Sequence, residues 1–133
     1  MIQPFAIEID APFKTKYSNE PEGVTVVIGA YTHLPWQPGI HIMCKSGEPL
    51  MRATMNLIDY ADNPETHLEP GETWIKDYSE NEGVLAALIE HKIIEYTQVD
   101  VTIGFGTHSV TYHRAKLIGR ALELWEAARE ADN

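Results

Sequence analysis

Short runs of β-branched and aromatic residues, each closed by glycine, proline or a polar cluster, are the feature that most constrains this chain, because such runs specify strands. Phe5 to Ile9, Val24-Thr25-Val26-Val27-Ile28 and Ile40 to Cys44 come first. Lys45-Ser46-Gly47-Glu48-Pro49 then reads as a turn, and Leu50 to Leu57 alternates as the returning arm of a hairpin. Between these runs, Leu34-Pro35-Trp36-Gln37-Pro38-Gly39 holds two prolines, which remove ladder donors, so it is expected to be an exposed loop carrying a tryptophan. A polar stretch from Asp59 to Gly71 leads into a short strand at Thr73 to Lys76. Val99–Phe105 and Val110–Lys116 flank Gly106-Thr107-His108-Ser109 as a second hairpin.

Two segments carry the helical period. Ser79 with Glu82 fits a capping box, and Val84, Leu85, Leu88 and Ile89 continue as an apolar stripe toward His91-Lys92. A second helix is predicted from about Leu117 to Ala131, with Ile118, Leu122, Trp125 and Ala128 on one side and Leu117, Ala121 and Leu124 beside them. That apolar arc is wide, so the helix either lies deep on the sheet or lends part of its surface to another subunit, and a homo-oligomer is expected. The pattern predicts an α+β fold in one domain spanning 1–133, an antiparallel β-meander packed by one central capped helix and one C-terminal helix.

At 133 residues the chain can own a core without metals or disulfides, and its 44% hydrophobic share supplies the material. Cys44 is the single cysteine, which excludes an internal disulfide and points to a reducing, cytoplasmic compartment. The N-terminal residues lack a basic region followed by a long apolar run, and no stretch has the length of a membrane span, so neither a signal peptide nor membrane association is expected. A formal charge of −10 opposes duplex nucleic acid binding, which needs clustered cations. The same charge leaves open a merely solubilising surface or an acidic face that imitates DNA.

The six histidines, His33, His41, His67, His91, His108 and His113, form no zinc signature, although His41, His108 and His113 could meet across a sheet; no metal or cofactor is predicted. Cys44 lies in an apolar strand and reads as a core thiol, so no catalytic residue is assigned. Two groups suggest ligand binding. Glycines and hydroxyls in Gly104-Phe105-Gly106-Thr107-His108-Ser109 could form an anion cradle through Phe105, Thr107 and His108, with Arg114, Lys116 and Arg120 nearby, or they could be an ordinary hairpin turn. Trp74, Tyr78 and Asn81 supply a ring and an amide suited to stacking on a nucleobase and bonding its edge, or else a core tryptophan, a helix staple and a local cap.

Gly47-Glu48-Pro49-Leu50, Thr54 to Leu57, Glu69 to Glu72 and above all Ile75-Lys76-Asp77-Tyr78-Ser79-Glu80-Asn81-Glu82-Gly83 resemble a family of small uncharacterised proteins from phages, plasmids and integrated elements. The likeness covers about 47 to 117. Members often carry an arginine before Gly104-Phe105 where this chain has Val99, so any ligand contact that arginine makes in relatives is expected to be replaced or lost here. By analogy of layout, the chain is similar to phage anti-Thoeris sponges. That resemblance implies a counter-defence protein of the host bacterial cytoplasm that sequesters a cyclic nucleotide or ADP-ribose-type signal without cleaving it. The alternative is an acidic, anti-CRISPR-like inhibitor acting by DNA mimicry.

Overall fold

The structure, a computed structural model, describes residues 2–34, 36–60 and 62–132, apart from the Phe105 side chain. The fold is α+β and its strand pairs are antiparallel, but the strands divide into two four-stranded sheets rather than one meander. In chain order the elements are β1 (Phe5–Ile9), β2 (Phe13–Lys14), β3 (Asn19–Glu20), β4 (Val24–Ala30), β5 (Pro38–Cys44), β6 (Pro49–Arg52), β7 (Thr54–Met55), β8 (Glu72–Ile75), α1 (Val84–Glu90), β9 (Ile94–Phe105), β10 (His108–Leu117) and α2 (Gly119–Ala131). The first sheet runs β1-β4-β5-β6 and the second β7-β8-β10-β9, while β2 and β3 form a small ribbon.

The predicted hairpin partner of β5 is only half right, and the break falls at Ala53. Leu50 to Arg52 return against β5, after which Ala53 crosses to the second sheet and Thr54–Met55 pair with β8. Ala53 is fully buried; its N–H donates to Ile40 O (2.9 Å) and its carbonyl accepts from Lys76 N–H (2.8 Å). A residue without bulk can pass here because both peptide groups find partners on the way.

Alternation along the second sheet gives two apolar clusters. Ile75, Ala115, Leu117 and Ile94 face the larger one, shared with the first sheet, α1 and α2. Trp74, Tyr112, Val101 and Ile103 face the other way and pack with Leu57 and Leu68 beneath the 57–68 segment. Within α2, Ala121 and Trp125 are buried while Leu122 and Ala128 pack partly on the larger core. The expected helical arc is therefore largely spent on the core, and Leu117 and Ile118 lie before the helix begins.

The expected loop at Leu34 to Gly39 is overturned at its C-terminal end. Gln37, Pro38 and Gly39 are buried, and Pro38 opens β5 opposite Ala30, a first-residue position where its missing N–H is tolerated. Trp36 does remain exposed, at 37%. Cys44 is half-buried rather than core; its thiol lies 3.5 Å from Glu20 Oε1, and burial together with that carboxylate pushes it above the ordinary thiol range.

Candidate ligand-binding site

The segment Lys76 to Gly83 is a structural joint. No capping box forms: Ser79 sits at φ 55 in a short 3-10 turn spanning Ser79–Asn81, and α1 starts later, behind Gly83 at φ 99. The cap is Asp77, whose carboxylate accepts from the N–H groups of Gly83 (3.0 Å) and Leu85 (2.8 Å). Glycine is required at 83, since a Cβ there would stand 3.0 Å from the Lys16 backbone nitrogen at a φ that L residues avoid. Asn81 is buried and donates through Nδ2 to Arg52 O (2.6 Å), pinning the joint to the end of β6.

These contacts correct the first expected ligand group. Asn81 has spent its amide on the backbone, and Trp74 is fully buried with its indole N–H donating to Thr66 O (3.3 Å). Tyr78 is half-buried, edge-on to Tyr112, with the two hydroxyls 3.3 Å apart. None of the three offers an open stacking face.

The expected phosphate cradle is also dispersed. Thr107 and His108 lie exposed at the tip of the β9–β10 hairpin, whereas Arg114 and Lys116 stand six and eight residues further along β10. At about 3.3 Å per residue, those cations are roughly 20 and 26 Å from the tip along the strand. The cations are also engaged: Arg114 with Glu72 (3.7 Å) and Thr97, Lys116 with Glu95 (3.0 Å), and Arg120 with Glu123 (3.7 Å). The cleft beside Lys116 is bordered by Glu69, Glu72, Glu95 and Glu126, a field that repels anions. The predicted role of the Phe105 side chain lies outside the described residues.

The histidines do not converge. His41 lies in the first sheet opposite Arg52, and His113 lies in the second, its Nδ1 2.8 Å from an Asp100 oxygen that also accepts from the Tyr96 hydroxyl. Burial alone would raise the Asp100 carboxyl, but these hydrogen bonds hold it below its usual range, and Asp100 in turn pushes the Tyr96 hydroxyl up to about 12. Among the described residues no group of three or more His, Cys, Asp or Glu side chains could hold a metal ion. No helix among them is long and apolar enough to cross a membrane.

A hollow of about 460 Å³ opens elsewhere, between the 34–37 and 57–68 segments. Leu34, Leu57, Ile58, Pro64 and Leu68 wall it, Trp74 lies at its base, and Trp36 and Ile58 stand exposed at its rim. Its walls are braced by their own backbone. Gly71 N–H donates to Trp36 O (3.0 Å), Gln37 N–H to Leu34 O (2.9 Å), and the Thr66 hydroxyl to the carbonyls of Tyr60 and Asn63 (2.9 and 2.8 Å).

Asn63, Thr66 and His67 also line the hollow, and Gln37 is its most deeply buried polar residue. Fully buried, it donates through Nε2 to Met55 O (2.9 Å) and Thr73 Oγ1 (3.0 Å), which fixes the orientation of its amide. Its Oε1 is shielded and has no hydrogen-bond partner; Trp125 Nε1 in the larger core is similarly unpartnered. No lysine or arginine lines the hollow among the described residues, and His67 is its nearest approach to a cation. Sequence reasoning placed Trp36 on a loop but missed the hollow, whose walls come from segments far apart in the chain.

No protein-family model matches this chain, and no curated protein or solved structure matches it either. The likeness to mobile-element proteins therefore rests on the residues quoted for it alone.

Proposed function

We propose that this chain is a non-catalytic binding protein that captures a small, flat, largely apolar molecule of nucleobase size in the hollow between 34–37 and 57–68 and releases it unchanged. The observation that carries this reading is the pairing of an apolar hollow with the locked, half-satisfied amide of Gln37. Ligand pockets combine mostly apolar walls with a few fixed polar groups in this way. An unpaired buried acceptor costs about 1–3 kcal/mol, so a guest N–H or O–H that reaches Oε1 relieves that cost on binding. Because the oxygen is shielded, the guest reaches it only if the side chains covering it give way.

The lining also limits the guest. Without a lysine or arginine, and inside a chain of net charge −10, it favours a neutral molecule or one that keeps its phosphates outside. Sequestration of a nucleotide-type signal, the counter-defence role, is the narrower form of the proposal, with the base inside the hollow and the charges in solvent.

Incubation with adenosine, a cyclic ADP-ribose-type compound and a cyclic dinucleotide, followed by denaturation and mass spectrometry of what is released, tests the reading. Intact guest, with binding reported by Trp36 and Trp74 fluorescence, is the expected result. Altered guest would mean catalysis. No capture of any of them would return weight to the acidic-inhibitor alternative.

A further inference from the structure

The outer strand of the second sheet is β9, twelve residues long and paired on one side only, with β10. The other outer strands are short or guarded. β1 has five residues and its Glu8 is engaged by Lys45; β6 has four, opens on Pro49 and ends on Arg52; β7 has two. From Val99 to Phe105, β9 contains no lysine, no proline and one charge, Asp100, so it lacks the usual protection against edge pairing.

Counting the antiparallel ladder back from the two-residue turn at Gly106-Thr107, the N–H and C=O groups of Asp100, Thr102 and Gly104 point outward. Those groups make no hydrogen bond among the described residues. Thr102 and Gly104 are exposed, and a Cβ on Gly104 would meet nothing within 4 Å. Val101 and Ile103 are already buried on the inner face, so added pairing would extend the sheet without disturbing the core. The usable segment ends at a bulge, where Thr97 and Gln98 fall out of register with β10 and Gln98 adopts φ 67.

We infer that residues 99–105 form an interface with a second copy of this chain, the two β9 strands pairing antiparallel to join both second sheets into one. The occupant follows from self-complementarity. A two-fold axis at Thr102 sets Asp100 against Gly104 of the second copy and Thr102 against its own counterpart, so the outward donors and acceptors match and no like charges meet.

Sedimentation velocity from about 1 to 500 µM is the test, and wild type is expected to pass from monomer to dimer within that range. Thr102→Lys sets two ammonium groups on the axis and should weaken association at least about tenfold. Thr111→Lys is the control, because it loses the same 2.9 Å contact between the Thr102 and Thr111 hydroxyls but sits on β10, inside the sheet. Wild type that stays monomeric throughout, or equal shifts in the two variants, overturns the inference. Amide exchange on wild type tests it without any variant: Thr102 and Gly104 should slow as concentration rises, and a dimer in which they stay fast places the interface elsewhere and overturns it too.

Discussion

The joint at 76–83 and the hollow between 34–37 and 57–68 are built on opposite principles. The joint is rich in polar side chains, yet Asp77 and Asn81 have spent theirs on backbone groups, and what remains exposed, such as Glu82 with Lys16 at 2.8 Å, is paired on the surface. The hollow has mostly apolar walls with Asn63, Thr66 and His67 among them, and one of its lining residues, Gln37, keeps a shielded amide oxygen without a partner. A polar motif that satisfies itself has little left for a ligand, whereas one fixed, unfinished amide beside apolar walls has something to offer. The most distinctive stretch of the sequence is thus where the fold is fastened, and the quieter one is the candidate site.

That contrast can be broken by substitution. Asp77→Ala should have the largest effect, lowering stability by about 2 kcal/mol in denaturant titration because two helix-start donors lose their acceptor, while guest affinity of the folded protein stays unchanged. Loss of affinity there would tie the joint to the site. Trp36→Ala should do the reverse, weakening capture about tenfold, or about 1.4 kcal/mol, with a thermal midpoint close to wild type, since the ring stands at the rim and its backbone carbonyl still serves Gly71. An unchanged affinity in calorimetry would remove Trp36 from the site.

Gln37→Leu sharpens the comparison further. It abolishes the bonds to Met55 and Thr73 and the orphan oxygen together, so the net loss should be about 1 kcal/mol, and the preference for guests that carry a donor over apolar isosteres should disappear. A retained preference in competition binding would show that Oε1 is not the contact. Smallest of all, Ser79→Ala should lower stability in denaturant titration by less than about 0.5 kcal/mol, because Ser79 does not cap α1. A loss of 1 kcal/mol would mean that the capping box forms after all.

Much of the fold was legible because strand alternation is local. β1, β4 and β5 lie where their β-branched runs predicted, and the β9–β10 hairpin contains both predicted runs although β9 begins at Ile94 rather than Val99; the two-residue turn sits inside the stretch read as one. The helix start was misread because Ser79 and Glu82 satisfy a spacing rule that says nothing about φ; the left-handed Ser79 and Gly83 instead delay α1 and leave the cap to Asp77. The site was harder still. Thr107, His108, Arg114 and Lys116 are near in sequence but strung along a strand that rises about 3.3 Å per residue, so proximity in the chain overstated proximity in space. Trp74 lines the hollow, though not as the open stacking face expected of it, and its neighbours at 34–37 and 57–68 are brought to it by the fold alone.

Ala53 bears on how the molecule comes apart. Its amide is bound to Ile40 in one sheet and its carbonyl to Lys76 at the edge of the other, while Ile40 N–H also reaches Thr54 Oγ1 at 3.1 Å. A strand shed from either sheet would strip bonds from its neighbour at this crossing, so the two sheets share one cooperative unit and fraying in one is opposed by the whole of the other.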